Sequence, residues 1–320
     1  MANISIIVPV YNDAINLERA LLSLIKQSIR PHIIVIDDGS KDNPKQIVDK
    51  LNETFGIEIE YHHQENKGIA CTRNKGLELV RTEYFGFLDS DDYFHFDFIR
   101  LMLNEIKNHQ PDFISCDFYW VDNKERYRKD GPFKNAKEML VNIFATLWNK
   151  VYRTDFIKGL DFKFPDGLKF EDASFIYKLC PYIKKHRYIN HPLVYYVQRP
   201  GSITHSYKPY IQDMITIFDD LLSYYYTHNL HNEYFFELEY LTTRFFLGNN
   251  FIRASLIDDV SLRNDIILRS YAFLTKHFSS YKKNPYLKKI SLKNFYFRLM
   301  NPSLFKYSVY LIRLIKRGKL

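Results

Sequence analysis

Short apolar runs alternate with amphipathic segments along the first third of the chain. Ile4–Val10 is an almost continuous apolar run, which is typical of a strand covered on both faces. Leu17, Leu21 and Leu24 then recur at helical spacing. Further strands are predicted at 33–36, 57–61 and 84–88, with helices between them at 44–55 and 69–80. Strands that alternate with helices predict a mostly parallel α/β sheet.

The pattern is less regular in the second half of the chain. Residues 112–119 are expected to form a strand, and 135–145 and 170–179 two helices. Beyond about residue 206 the pattern is mainly helical and rich in Tyr, Phe and Leu. The sequence therefore predicts an α/β domain at residues 1–207 and a helical region at residues 208–320.

Composition is that of an ordinary globular protein. Of 320 residues, 46% are hydrophobic and 26% charged, which excludes a disordered, collagen-like or coiled-coil chain. Cys71, Cys116 and Cys180 form no CxxC pair, so a zinc knuckle or a disulfide framework is not expected, and a reducing cytoplasm fits. The sequence shows no apolar run of transmembrane length and no signal-peptide pattern at its N-terminal strand.

Charge is distributed unevenly along the chain. The net charge is +8, yet residues 266–320 contain 13 Lys and Arg and no Asp or Glu. Residues 302–315 form an amphipathic pattern in which basic and apolar side chains fall on separate stripes. This pattern favours an anionic membrane surface as the partner of residues 266–320. A core-packed helix with snorkelling lysines and an oligomer contact are the alternatives, and nucleic acid is not expected because no reader motif accompanies the charge.

Polar and acidic residues follow three of the predicted strands. These strand ends read Pro9-Val10-Tyr11-Asn12, Asp37-Asp38-Gly39-Ser40 and Asp89-Ser90-Asp91-Asp92. Ligands of open α/β sheets bind at the carboxyl ends of the strands. We therefore expect these residues to converge on one edge of the sheet.

Each of these motifs has a structural alternative. The closely spaced carboxylates from Asp89 to Asp92 suit Mg²⁺ or Mn²⁺, or they cap the helix predicted to begin near Phe96. The Asp37-Asp38 turn either starts a helix or gives a carboxylate to a nucleobase or ribose.

Two further motifs lie at predicted helix starts. Glu171 and Asp172 are either caps or dipole partners of a helix, or one of them is a general base. The segment 66–74 joins a Gly-containing turn to a helix, where Arg73 could help to hold a diphosphate. It is not a Walker A loop, and the chain has no GxGxxG. His205 lies in a basic loop that could close over phosphate, although a lone His is more often a packing or surface residue.

Taken in order, these motifs resemble the family 2 glycosyltransferases over roughly residues 3–205. The segments 147–153 and 199–204 look like the branch that builds bacterial cell-surface polysaccharides. The resemblance implies a GT-A fold, which is a Rossmann-like mixed sheet, here with a mainly helical C-terminal region. It also implies inverting transfer from a nucleotide-diphosphate sugar, expected to be a UDP-sugar, with Mn²⁺ or Mg²⁺ as cofactor.

The resemblance also implies roles for individual residues. Donor binding falls to Pro9, Val10, Tyr11, Asn12, Asp38, Asn66, Gly68, Arg73 and Ser90. The metal falls to Asp89 and Asp91, with His205 as an additional ligand and Asp92 in support. Asp172 is implied as the catalytic base, with Glu171 supporting it or touching the acceptor.

The expected acceptor is a glycan or a polyprenol-linked molecule. The expected location is cytoplasmic and peripheral at the inner face of the plasma membrane, and a second copy of the chain is a candidate partner. Two other functions stay open from the sequence: a nucleotidyltransferase, and a donor-binding or scaffold module without catalysis.

Overall fold

The computed structural model of the chain describes residues 3–199 and 212–316. The chain divides into two compact units. The sheet unit comprises Met1–Gly167 and Glu171–Pro200, and the helical unit comprises Leu168–Phe170 and Gly201–Leu320. The chain thus leaves the sheet unit for three residues immediately before Glu171.

The sheet unit is built on one large mixed sheet. Its described strands are β1 Ile4–Val10, β2 His32–Asp37, β3 Glu60–His63, β4 Tyr84–Phe87, β5 Tyr93–Phe94, β6 Phe113–Val121, β7 Glu125–Arg128, β8 Lys150–Arg153 and β9 His186–Val197. They lie in the order β3-β2-β1-β4-β8-β6-β9-β5, and β7 pairs with β6. The carboxyl ends of β2, β1 and β4 therefore lie side by side.

The first four strands are parallel, as the alternating sequence pattern predicts. Beyond β4 the sheet is mixed, because β8 runs antiparallel to both β4 and β6. β9 is parallel to β6, with a register shift next to Asp117. This second half lacks regular strand–helix alternation, which explains why the sequence predicted it less fully.

Helices cover the sheet of this unit. They are α1 Ala14–Ile25, α2 Pro44–Phe55, α3 Ile69–Leu79, α4 Phe98–His109, α5 Ala136–Asn142, α6 Thr154–Gly159 and α7 Glu171–Leu179. Leu17, Leu21 and Leu24 of α1 are fully buried, as their spacing predicts. α3 approaches β1 closely at Gly76, where an added Cβ would lie 2.5 Å from Ile7 Cγ2.

Two elements near the site differ from the sequence prediction. β3 begins at Glu60 rather than at 57, and α4 begins at Phe98 rather than near Phe96. The short strand β5 occupies the space before α4 and pairs with β9, about a hundred residues later in the chain. Local periodicity contains no signal for a two-residue strand whose partner is so distant.

The helical unit contains the remaining described α-helices, and two short 3₁₀ helices, Tyr281–Lys283 and Pro285–Leu287. The α-helices are α8 Asp213–Thr227, α9 Phe235–Thr243, α10 Phe251–Ser255, α11 Val260–His277, α12 Leu292–Leu299 and α13 Pro302–Lys316. A π-helical segment, Arg244–Asn250, joins α9 to α10 without a break. Aromatic and aliphatic side chains of this long helix, such as Leu241, Phe246 and Phe251, form the buried core of the unit. None of the helices in the described ranges is long and apolar enough to span a bilayer.

Candidate active site

The end of β2 is tied to the turn that precedes α3. Asp38 is 3% exposed, and its carboxylate accepts hydrogen bonds from the backbone N–H groups of Lys67 and Gly68, each at 2.9 Å. The side chain of Gln64 donates a third at 2.8 Å. Gly39, at φ +76°, permits this approach, since an added Cβ would lie 2.8 Å from the backbone nitrogen of Asn66. Asp38 therefore positions the N-terminus of α3, and its expected contact with a nucleobase stays a prediction.

Asp37, the neighbouring carboxylate, is also occupied by the protein. Ser40 N–H, the Tyr61 hydroxyl and His63 contact it at 2.8, 2.7 and 3.0 Å. Burial would raise the pKa of Asp37, but these hydrogen bonds outweigh burial and hold the pKa below its usual value. Asp37 thus stays ionised and fixes the turn after β2.

The last residues of β1 are buried in the sheet, whereas the two residues that follow it are exposed to solvent. Pro9 and Val10 are buried within the parallel pair with β2. Tyr11 is 49% exposed, whereas the Asn12 side chain accepts a hydrogen bond from Lys41 N–H at 2.8 Å. Tyr11 is the aromatic residue among the four expected to bind the donor here, and its exposed ring is open to a nucleobase.

Arg73 connects the strand ends to the predicted base. It lies one turn into α3, is 6% exposed, and donates to Asp89 Oδ1 at 2.9 Å and to Glu171 Oε1. Burial would lower the pKa of Arg73, but the charges of Glu171, Asp89 and Asp172 outweigh burial and raise it. The guanidinium therefore bridges the end of β4 and the start of α7, a position that the sequence did not predict.

The turn after β4 has a second arginine partner. Arg199 donates to Asp91 Oδ2 at 2.8 Å and to both carboxylate oxygens of Asp13, at 2.6 and 3.1 Å. The Ser90 hydroxyl also donates to Asp13, at 2.7 Å, and Arg19 donates to the carbonyl oxygen of Asp91 at 2.5 Å. The Ser90 hydroxyl therefore orients Asp13, and the expected contact of Ser90 with the donor stays a prediction.

Asp13 and Arg19 were missed by the sequence analysis. Asp13 directly follows Asn12, so extending the strand-end motif by one residue would have included it. Arg19 carries no local signal, because it faces the Asp91 turn only through the packing of α1 beside β5.

The carboxylates of this turn raise one another's pKa. Burial raises the pKa of Asp91, and the charge of Asp89 adds to it. Asp92 is fully buried, and burial with the charges of Asp91 and Asp89 raises its pKa well above the usual value. Its Oδ1 accepts from Val197 N–H at 2.8 Å, whereas Oδ2 has no partner among the described atoms. A cation close to these carboxylates would relieve the repulsion.

The residues present fit a divalent cation that takes part of its ligand shell from a diphosphate. Within the described ranges, no group of three or more His, Cys, Asp or Glu side chains is arranged to hold a metal ion. Mg²⁺ and Mn²⁺ are commonly held by one or two carboxylates together with substrate phosphates. Asp89 and Asp91 provide such a pair, whereas His205, the further expected ligand, lies outside the described residues.

Asp172 has the environment of a general base. It is half-buried in the first turn of α7, and Oδ1 accepts from Ala173 N–H at 2.8 Å. Burial, and then the negative charge of Glu171, raise the pKa of Asp172 to about 7, although Arg73 acts in the opposite direction. A carboxylate with a pKa near neutrality is well matched to accept a proton from a hydroxyl.

The backbone immediately before this pair is strained. Phe170 has φ +67°, a left-handed conformation that an aromatic residue rarely adopts. Such outliers concentrate at functional sites, where the surrounding structure holds them in place.

Comparisons with known proteins identify the family and the fold of the chain. The profile of glycosyl transferase family 2 matches residues 5–166, which is just over half of the chain. EpsJ of Bacillus subtilis, named as a glycosyltransferase, is 27% identical over 223 residues, covering 64% of this chain and 64% of EpsJ. The chain thus spans a little under two thirds of that relative's length.

The enzyme TarS of Staphylococcus aureus, a poly(ribitol-phosphate) β-N-acetylglucosaminyltransferase, is 28% identical over 186 residues, covering 56% of this chain and 32% of TarS. The crystal structure of TarS residues 1–349 superimposes with a TM-score of 0.74 at 20% identity, covering 99% of this chain and 92% of that one. The same fragment has also been solved in complex with UDP-GlcNAc, at a TM-score of 0.73. The expected fold class, a GT-A mixed sheet followed by helices, is confirmed.

Proposed function

Because the chain belongs to glycosyl transferase family 2, we propose that it moves a sugar from a UDP-sugar to a hydroxyl group of a glycan or lipid-linked acceptor, with inversion at the anomeric carbon. The structures of TarS with UDP and with UDP-GlcNAc support this donor class, since they share the fold. The name of TarS, which refers to poly(ribitol-phosphate), supports a polymeric acceptor.

The bridge made by Arg73 is the observation that carries this proposal. Through it, Asp89 on the donor side and Glu171 beside the base belong to one hydrogen-bonded cluster. The same helix, α3, begins at Gly68, whose N–H is held by Asp38. The residues proposed to bind the nucleotide, to bind the diphosphate and to accept the proton are thus connected through Arg73 and α3 within the sheet unit, which supports a single displacement.

In the proposed reaction, Asp172 accepts the proton of the acceptor hydroxyl. The oxygen of that hydroxyl forms a bond to the anomeric carbon, and the bond from this carbon to the diphosphate oxygen breaks. The bonding electrons leave with UDP, and the proton remains on Asp172 until solvent removes it. Arg73 holds Glu171 beside Asp172, and the negative charge of Glu171 raises the proton affinity of Asp172.

Asp89 and Asp91 are the residues that would hold Mn²⁺ or Mg²⁺, with His205 as a further candidate ligand. When bound, such a cation offsets the charge that develops on the leaving diphosphate. Arg199 donates to Oδ2 of Asp91, and in the proposed donor complex it would exchange this contact for one with the donor phosphates.

We further propose that the protein works in the cytoplasm at the inner face of the plasma membrane, where a polyprenol-linked acceptor would lie. The absence of acidic residues from 266–320 supports contact with anionic lipid. A second copy of the chain is a further candidate partner.

The test is a survey of nucleotide sugars by thermal shift, followed by product analysis. UDP and one UDP-sugar, each with Mn²⁺, are expected to raise the melting temperature, whereas GDP is not. A ligand at a hundred times its dissociation constant stabilises a protein by about 2.7 kcal/mol, which is readily measured. With the preferred donor and an acceptor, release of UDP is expected. Release of pyrophosphate would instead indicate nucleotidyl transfer, and binding without turnover of any donor would indicate a module that only binds it.

A further inference from the structure

An exposed apolar stripe runs along α12 of the helical unit. Ile290 and Leu292 are the most exposed large apolar side chains in the described residues, at 95% and 90%. Phe295 and Leu299 follow at 59% and 47%. Leu292, Phe295 and Leu299 are three and four residues apart, so they share one helix face. Apolar side chains that line one helix face and are this open to water form a candidate contact surface for a partner.

Hydrogen bonds from Asn294 and Tyr296 fix α12 within the helical unit. The side chain of Asn294 donates to the carbonyl oxygens of Tyr286 and Lys289, at 3.0 and 2.8 Å. The hydroxyl of Tyr296 donates to the carbonyl oxygen of Leu247 at 2.8 Å. The stripe is therefore presented by a firmly held helix, and its exposure follows from the fold of the unit.

Basic side chains border the stripe on both sides. Lys288 and Lys289 precede Ile290, while Lys293 and Arg298 lie on opposite flanks of the apolar face, and all four are exposed. Within the described part of the chain, none of the four forms an ion pair with an acidic side chain. Lys293 Nζ lies over the rings of Tyr240 and Phe297, at 5.6 and 6.0 Å from their centroids, and this contact leaves its positive charge in place. The charge on this surface is therefore available to an anionic partner.

We propose that residues 288–299 form a membrane-docking surface for an anionic bilayer. The apolar stripe enters the boundary between headgroups and acyl chains, and the four basic residues contact lipid phosphates. A nucleic acid would leave the stripe in water, and a second copy of the chain would bring two uncompensated basic rims together. The role of this surface in sugar transfer rests on the proposed function with a lipid-linked acceptor. Binding of the surface to a membrane does not depend on that function.

This surface lies within residues 266–320, the region for which the sequence favours an anionic membrane as partner. The amphipathic pattern of residues 302–315 drew attention to the last helix, which is present as α13. Leu304 and Tyr307 of α13 are also exposed, at 46% and 84%. Several side chains later in that helix lie outside the described residues, whereas every residue of α12 is described.

The full chain should be tested by flotation with vesicles of phosphatidylcholine alone and of phosphatidylcholine with phosphatidylglycerol. We expect flotation only with phosphatidylglycerol, and less of it at high salt because surface charge is then screened. Ile290→Ser with Leu292→Ser should weaken partition by more than about tenfold, through the loss of buried apolar area. Lys288→Gln with Lys289→Gln should weaken it by roughly fivefold for each charge removed.

The matched control is Val260→Ser with Leu268→Ser, which removes two side chains that are 56% and 54% exposed on α11 of the same unit. Flotation of this control should equal that of the parent chain. Stabilisation by UDP should be the same in all variants, so loss of flotation with retained UDP binding separates this proposal from the proposed function.

A second readout reports insertion directly. Leu292→Trp should shift tryptophan emission to shorter wavelength on vesicles with phosphatidylglycerol, whereas Leu268→Trp should not. No flotation at low salt, or flotation that the Ile290 and Leu292 substitutions leave unchanged, would overturn the proposal. So would a dimer that these substitutions convert to a monomer, because the occupant of the stripe would then be a second copy of the chain.

Discussion

Two buried charge clusters of the sheet unit differ in how completely their polar atoms are partnered. In the sealed cluster, Lys150 Nζ contacts Asp130 Oδ2 and Asn149 Oδ1, each at 2.7 Å. Asn149 Nδ2 also donates to Asp130 Oδ2, and Phe144 N–H donates to Asp130 Oδ1, both at 2.8 Å. Every side-chain nitrogen and oxygen of Asp130, Asn149 and Lys150 thus has a partner.

The cleft cluster comprises Arg73, Asp89, Asp91, Asp92, Glu171 and Asp172, and it is incomplete. Arg73 Nε and Asp92 Oδ2 have no hydrogen-bond partner among the described atoms. The pKa values of Asp91, Asp92 and Asp172 are all raised, first by burial and then by neighbouring carboxylates. Unlike the sealed cluster, it contains more negative charge than the protein itself neutralises.

This difference separates a structural from a functional use of buried charge. A buried pair whose hydrogen bonds are all made can persist because its desolvation cost is offset within the protein. Burying unpaired polar atoms and carboxylates with raised pKa values costs free energy, unless a ligand supplies the missing hydrogen bonds or the opposite charge. We therefore expect substitutions in the sealed cluster to reduce stability, and substitutions in the cleft cluster to reduce turnover.

The largest effect is expected from Asp172→Asn in the cleft cluster. Loss of a general base reduces turnover by about 10²–10⁴-fold, and the neutral amide should leave the fold and the stabilisation by UDP intact. The measurement is UDP release in the presence of acceptor. Asp155→Asn, an exposed carboxylate at the start of α6, is the matched control and should retain full activity. Normal turnover by Asp172→Asn would refute its role as the base.

Lys150→Ala tests the sealed cluster. Removing one partner of a buried ion pair costs about 3–5 kcal/mol, since it leaves the Asp130 carboxylate uncompensated. The free energy of unfolding, measured with urea, should fall by that amount, and the protein that remains folded should bind UDP normally. Lys107→Ala, an exposed lysine on α4, should change the stability by less than about 0.5 kcal/mol. A Lys150→Ala protein that keeps its stability but binds UDP less well would show that the sealed cluster has a functional and not a structural role.

Arg73→Lys tests whether the arginine bridge positions the base. A lysine keeps the charge but cannot reach two carboxylates with a planar fork, so Asp89 and Glu171 lose their shared partner. Small displacements of catalytic groups cost up to about 10²-fold in rate, and we expect kcat to fall by about 10- to 10²-fold. The pH profile of the variant should also shift, because the balance of charge around Asp172 changes. A variant that loses stability but keeps kcat and the pH profile would show a purely structural role.

The strands and helices near the strand ends could be predicted because their signals are local. The predicted bounds of Ile4–Val10 and Pro44–Phe55 agree with the structure, since a buried apolar run and a Pro-initiated helix are each defined by a few adjacent residues. β5 and the parallel pairing of β6 with β9 depend on partners far apart in the chain. No period in the sequence encodes such partners.

In the candidate site, too, residues with local sequence signals could be predicted, whereas contacts between distant residues could not. Asp89, Asp91, Glu171 and Asp172 could be proposed from short motifs at strand and helix ends. The position of Arg73 between two carboxylates, and the contact of Arg199 with Asp91 and Asp13, join residues about 16 to 186 positions apart. Only the packing of α1, α3 and α7 around the ends of the strands brings these side chains together.

Near neutral pH the smallest effect is the pH dependence that follows from Asp172. Its ordinary pKa is 3.8, and in the folded chain burial and then the charge of Glu171 raise the pKa to about 7. Because the base must be ionised, kcat/KM should fall by about tenfold for each pH unit below 7. Between about pH 4 and 7 the folded chain retains a proton that the unfolded chain has lost, so stability should decrease as pH rises through that window. Rate profiles and thermal melting of the parent chain should both show these trends, and the contribution to melting should vanish in Asp172→Asn. A rate profile that stays flat below pH 7 would show that the base does not have a pKa near 7. Asp172 would then be a structural residue, like those of the sealed cluster.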